Sequence, residues 1–230
     1  MKTPNFSVGF EEMLRQHPYL FHLHTNFTDG TSSIEDYCTF AMNNGYKYLI
    51  FTEHVRQVCT YDFKEFERAL EDARHRFPSL QISLGVEAKL LPNGTLDVSK
   101  EVLDRVDVLG IACHSFPSDV EMYTKAMEHV LKESYAKDLL RVWVHPGLFF
   151  KKNNITENRL FSYLLDLAIH QGVYVEYNIK YGLPPVNLQY LIPPQRKVLG
   201  IDGHSVKDLK ERNEEITSIE QSFREELSKA

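Results

Sequence analysis

Seven short runs rich in apolar, β-branched and aromatic residues recur along the chain: YLFHLH (19–24), YKYLIFTEH (46–54), LQISLGVEA (80–88), VDVLGIACHS (106–115), LLRVWVHPG (139–147), GVYVEYNIK (172–180) and KVLGIDGHS (197–205). Each has the length of a strand, and their nearly unbroken apolar character suits strands covered on both faces. Most of the intervening segments have helical spacing. SSIEDYCTFAMNNG opens on Ser33 with Asp36 three residues on and ends at Gly45, and DFKEFERALEDARHRFP is bounded by Asp62 and Pro78. Longer helices are predicted in DVEMYTKAMEHVLKESYAK and ITENRLFSYLLDLAIHQG, and the charged tail from Ser205 reads as a last helix on the outside.

Strands that alternate with helices imply a parallel sheet, because parallel neighbours need crossover connections. Seven such units can close into an α/β barrel; an open doubly wound sheet is the alternative. The 230 residues suit one domain, with 1–18 as an N-terminal extension and 206–230 as a C-terminal helix.

The polar residues fall where such a fold keeps its chemistry, at the carboxyl ends of the strands. His22 and His24 end the first run, His54 the second, Glu87 the third, His114 the fourth, His145 the fifth, and Asp202 and His204 the last. Strand alternation would aim each HxH-type pair at one point. Any one of these residues could be a hydrogen-bonded core histidine, a strand-end ion pair or a turn residue. Together on one rim they would be costly for a core, and a shared metal site explains them all. Imidazole and carboxylate donors without cysteine suit zinc, manganese or iron. His17, His75, His129 and His170 lie in or beside predicted helices and read as surface or packing residues.

Composition excludes more than it adds. The cysteines, Cys38, Cys59 and Cys113, are three in number, widely spaced and without a CxxC pair, which fits neither a disulfide framework nor a zinc ribbon. No apolar run approaches membrane-spanning length, so a cytoplasmic protein is expected, with no membrane partner. A formal net charge of −6 argues against an extended grip on nucleic acid.

In order along the chain, HLHTNFTDGTSSIEDY, FTEH, LGVEAKLLPNGTLDV with CHSF, VHPG and GIDGH resemble the motifs of the PHP (polymerase and histidinol phosphatase) family. The resemblance spans roughly Phe21 to Ser205. It departs from the commonest family spelling at Glu53, where aspartate is usual, and at Ile201 and Gly203, where Ser and Ala are common; neither change removes a ligand.

The resemblance implies a distorted seven-stranded (β/α)7 barrel with two to three divalent ions, Zn, Mn or Fe, in its mouth. His22, His24 and Asp202 would hold the first, Glu87 would bridge it to a second bound by His114 and His145, and Asp29, His54 and His204 would hold a third. Glu87, Asp202 and His204 are the catalytic candidates, with a metal-bridging hydroxide as nucleophile.

The implied activity is hydrolysis of a small phosphomonoester such as histidinol phosphate. The middle motif also resembles PHP domains attached to bacterial DNA polymerases, which leaves a phosphodiesterase or 3′–5′ exonuclease as a second reading, and a non-catalytic metal-binding domain as a third. Arg56, Lys89 and Lys180 stand at predicted mouth loops as candidates to bind substrate phosphate, with Arg56 foremost because guanidinium matches phosphate bidentately. Lys151 and Lys152 could join them at one mouth, and Asn178, in EYN, could orient a ligand or the substrate.

Overall fold

The computed structural model describes residues 6–135, 139–156 and 158–229. Seven parallel strands follow in chain order around one sheet: β1 (Tyr19–Leu23), β2 (Tyr48–Val55), β3 (Gln81–Lys89), β4 (Val108–Ala112), β5 (Leu140–Trp143), β6 (Tyr174–Asn178) and β7 (Lys197–Gly200). The sheet curls until its edges meet. Leu23 bridges to Gly203, Ile201 N donates to Phe21 O (3.0 Å), and Gly203 N donates to His22 O (3.0 Å). At the other end of the same seam, Leu199 N donates to the Tyr19 hydroxyl (2.8 Å). The result is a nearly closed, distorted (β/α)7 barrel, and the open-sheet alternative falls away.

Helices α1 (Phe6–Gln16), α2 (Ile34–Asn43), α3 (Phe63–Arg76), α4 (Lys100–Leu103), α5 (Val120–Lys132), α6 (Leu148–Lys152), α7 (Asn158–His170) and α8 (Val206–Lys229) cover it. Ser33 and Asp36 form the reciprocal cap that opens α2, and Asp62 and Asp119 cap α3 and α5 through their side chains. Ala136, Lys137 and Glu157, within the two longer predicted helices, lie outside the described residues. No helix among the described residues is long and apolar enough to cross a membrane.

Two segments differ from the helical rhythm. Between β6 and β7 the chain makes two short 3₁₀ turns, because Pro184, Pro185, Pro193 and Pro194 remove the donors and occupy the space a helix needs. The N-terminal extension, by contrast, contains α1, which buries Phe10, Met13 and Leu14. Phe10 meets Tyr174 edge-on (5.0 Å), and Arg15 donates to Leu227 O of α8 (2.8 Å). Since Tyr174 begins β6, α1 and α8 close the amino-terminal end of the barrel and leave the carboxyl-terminal rim for chemistry.

Candidate metal centre

His54 and Glu87 are register partners on adjacent strands, so β2 and β3 hold them side by side. The other donors arrive by less regular backbone. β1 shifts register between Phe21 and Leu23, and His22 sits in that bulge with φ +71°. His24 lies just past the strand, yet the two rings are 5.1 Å apart. The convergence of His22 and His24 therefore comes from a bulge that re-aims a side chain rather than from regular alternation.

His145 (φ +46°) and Asp202 (φ +52°) each stand two residues past a strand end, again in the left-handed region. Such backbone costs on the order of 1–3 kcal/mol per non-glycine residue and marks sites where surrounding structure over-determines the geometry.

Glu87 is the hub, 1 % exposed. Its Oε1 lies 2.7 Å from His114 Nε2 and 3.5 Å from His145 Nδ1, and its Oε2 lies 2.9 Å from His54 Nδ1, 3.5 Å from His24 Nε2 and 3.7 Å from His22 Nε2. Asp202 faces the hub from β7, with Oδ2 3.2 Å from His145 Nε2 and Oδ1 3.8 Å from His24 Nε2. On the outer side Asp29 Oδ2 is 3.4 Å from both His54 Nε2 and His204 Nε2.

All nine expected donors thus meet at one mouth. Four overlapping groups have ligating atoms within 4.8 Å of one another: His24, Asp29, His54 and His204; His22, His24 and Glu87; His22, His145 and Asp202; His54, Glu87 and His114.

The donor set fits divalent cations on its own evidence. His22 Nε2, both ring nitrogens of His24 and His145 Nδ1 are buried without a hydrogen-bond partner, a costly arrangement unless a cation takes one nitrogen of each ring. Burial disfavours charge on Glu87, but His145, His114, His22 and His54 outweigh it and hold the carboxyl well below the usual range. Burial likewise opposes charge on Asp202, and hydrogen bonding and charge from His145, with His22 and Lys180, hold it low. Burial drives His24 well below the ordinary imidazole value, which favours the neutral ring with one nitrogen free to ligate.

The loop after β1 is pinned from behind. Glu53 is buried and accepts from Thr25 N (2.6 Å) and from the Thr28 hydroxyl, fixing the segment that presents Asp29. In the same loop Gly30 approaches so closely that a Cβ would stand 2.4 Å from His24 O.

The substrate-binding candidates divide. Lys180 enters the site, its Nζ 3.3 Å from Asp202 Oδ1 and 3.3 Å from His204 Nδ1. Lys152 donates to His114 O (3.0 Å) and Lys151 to Tyr181 O (3.0 Å). Arg56 meets Val55 O (2.8 Å) and Asp97 Oδ2 (3.6 Å). Lys89 ends β3 opposite Ala112. Asn178 is fully buried, and its amide lies between Glu176 Oε2 (3.1 Å) and Tyr181 N (2.9 Å).

Outside the centre, His17 packs on Tyr48, His75 and His129 face carboxylates on their own helices, and His170 donates to Asp166 O. The sequence reading missed Glu176, whose carboxylate touches His22 and the backbone of His145. A charged residue inside the otherwise apolar run of β6 was the available signal.

Comparison with known proteins follows the same lines. The family described as PHP domain matches residues 21–180. The DNA polymerase/3′-5′ exonuclease PolX of Bacillus subtilis (strain 168) is 24 % identical in an alignment 216 residues long that covers 89 % of this chain and only 37 % of that protein. Among solved structures, histidinol phosphate phosphatase from Lactococcus lactis subsp. lactis Il1403, complexed with zinc, L-histidinol and phosphate, superposes with a TM-score of 0.62 at 15 % identity, covering 88 % of this chain and 93 % of that one. That likeness establishes a shared fold.

Proposed function

The chain belongs to the PHP domain family, and on that premise we propose that it is a metal-dependent phosphoesterase that hydrolyses a small phosphomonoester of the histidinol phosphate kind. The observation that carries this reading is the convergence of nine metal-capable side chains on one rim, with buried imidazole nitrogens left unpartnered. His22, His24 and Asp202 would hold one ion, Glu87 with His114 and His145 a second, and Asp29, His54 and His204 a third. Zinc, manganese and iron all suit this donor set. Divalent ions held by these residues would supply Lewis acidity, lowering the pKa of a bound water and neutralising phosphoryl charge.

The chain's own residues supply position and charge. Glu87 reaches donors on both of its oxygens, which is the geometry a bridging carboxylate needs. Asp202 holds the Lys180 ammonium at the mouth, where it can take a phosphate oxygen that the ions leave free. Neither Cys113, beside His114, nor Cys38 is suited to be a nucleophile, since burial pushes both thiols up to about 12.

A phosphodiesterase or 3′–5′ exonuclease is the second reading, favoured by the polymerase-associated relative. The smaller substrate is preferred because Lys151 and Lys152 are engaged with backbone carbonyls and Arg56 with Asp97, which leaves little of a basic track for a polynucleotide. A non-catalytic domain would have lost ligands, and none of the nine is missing.

The test is phosphate release from a panel of phosphomonoesters, nucleotides and oligonucleotides with manganese or zinc added. A higher kcat/KM for small monoesters is expected. Efficient shortening of oligonucleotides, with monoesters untouched, would replace the phosphatase reading with the nuclease one.

A further inference from the structure

We propose that Glu176, although it contacts no reacting atom, is the positioning residue that sets the two buried histidines His22 and His145 for metal binding, and that Gly200 is glycine to make room for it. The inference rests on the metal reading above.

Glu176 is fully buried in β6, and each of its oxygens serves a different ligand residue. Oε1 lies 2.5 Å from His22 Nδ1. A carboxylate only accepts, so Nδ1 is the donor in this pair and Nε2 is the nitrogen left to ligate. Nε2 is the atom that faces Glu87 and has no hydrogen-bond partner. With the other tautomer a proton would point into the cluster and the ring could not ligate there.

Oε2 accepts from the backbone N–H of His145 (2.6 Å), which stabilises the left-handed backbone (φ +46°) that swings this imidazole between Glu87 and Asp202. Asn178 Nδ2 donates to the same oxygen (3.1 Å) and fixes the carboxylate plane. One side chain therefore orients donors that approach the centre from β1 and from β5.

Gly200, on the neighbouring strand, shows that the arrangement is built in. A Cβ at this position would lie 1.7 Å from Glu176 Oε1, 2.4 Å from its Cδ and 2.5 Å from its Cγ. All three of those contacts belong to Glu176. The absence of a side chain at 200 thus serves the carboxylate rather than a backbone turn.

Glu176→Gln keeps size and shape but replaces one acceptor with a donor, so it cannot accept from both His22 and His145. Gly200→Ala displaces the carboxylate while changing no ligand. Metal affinity of the full chain, measured by competition with a chromophoric chelator for zinc alone, should fall about 10–100-fold in each variant, the usual cost of losing a ligand's outer partner. In a Glu176→Ala background, Gly200→Ala should cost nothing further, since its target is gone. Nitrogen-15 spectra should show a strongly hydrogen-bonded Nδ1–H on His22 in the wild type that weakens or disappears in Glu176→Gln. That readout would not move if Glu176 only filled space.

Wild-type affinity in Glu176→Gln, an unchanged His22 Nδ1–H signal in that variant, or an equal penalty for Gly200→Ala with and without Glu176 would overturn the inference. A wild-type protein that takes up no zinc would overturn the metal reading itself, and the positioning role with it.

Discussion

Glu87 and Glu220 are each 1 % exposed, at opposite ends of the barrel, and their carboxyls are driven in opposite directions. Five imidazoles surround Glu87, and His145, His114, His22 and His54 hold it well below the ordinary range in spite of burial. Glu220, on α8, has one close cation, Arg224, with 3.1 Å between Oε2 and Nη2; its Oε1 has no hydrogen-bond partner, and burial pushes its pKa up to about 7. Burial alone disfavours a carboxylate, so a buried acid that stays charged reports a surplus of nearby donors. The rim holds that surplus and the base does not. Backbone tells the same story: His22, His145 and Asp202 are left-handed at the rim, whereas the closure by α1 and α8 uses apolar packing and ordinary helix.

The largest effect should come from removing the rim's hub. Glu87→Gln should lower kcat/KM by more than about 100-fold, beyond the loss of an outer partner alone, while circular dichroism shows the barrel intact. Asp29→Asn should cost less, about 10-fold, because Asp29 is more than half exposed and meets His54 and His204 at the outer edge of the rim. Equal losses would mean that the outer cluster is as necessary as the hub.

Glu220 gives the opposite result, in stability. A carboxyl whose folded pKa is raised from the ordinary 4.5 to about 7 favours folding when protonated. Its contribution is complete below about 4.5 and is lost as pH rises through about 7. The groups facing it are Arg224 and the buried phenols Tyr19 and Tyr46. Urea unfolding should show the wild type losing roughly 2–3 kcal/mol between pH 4.5 and 8 from this group, and Glu220→Gln should flatten that slope without lowering activity. An unchanged slope would remove the contrast between base and rim.

The smallest effect separates two cations at the mouth. Lys180→Ala should raise KM about 10-fold, as expected for one charge-assisted hydrogen bond, and Arg56→Ala should change it less than about twofold, since Arg56 faces Asp97. Steady-state kinetics on the best monoester decides between them. The reverse order would restore Arg56 as the phosphate clamp.

The same division between rim and base explains what the sequence made legible. Strands and most helices could be read because parallel strands buried on both faces are apolar throughout, and Ser33, Asp62 and Asp119 are cap residues at visible helix starts. The rim donors could be found because polar side chains at the ends of such strands stand out. Regular alternation could not anticipate the bulge at His22 or the left-handed turns at His145 and Asp202, which are tertiary in origin. Glu176 escaped because its role depends on Gly200 of another strand, and Arg56 because sequence does not say where a long side chain turns. Helix α1 had its signal in the spacing of Phe10, Met13 and Leu14, but its stability comes from α8 and Tyr174, far along the chain.

The central claim is that the rim holds divalent ions, and anomalous X-ray diffraction from crystals of protein purified without chelator, collected across the zinc, manganese and iron edges, tests it most directly. Two or three anomalous peaks are expected, one bridged by Glu87 and at least one bound by His22, each about 2.0–2.2 Å from nitrogen and oxygen donors. An empty rim at full donor occupancy, or peaks only at surface residues away from Glu87, would contradict the account.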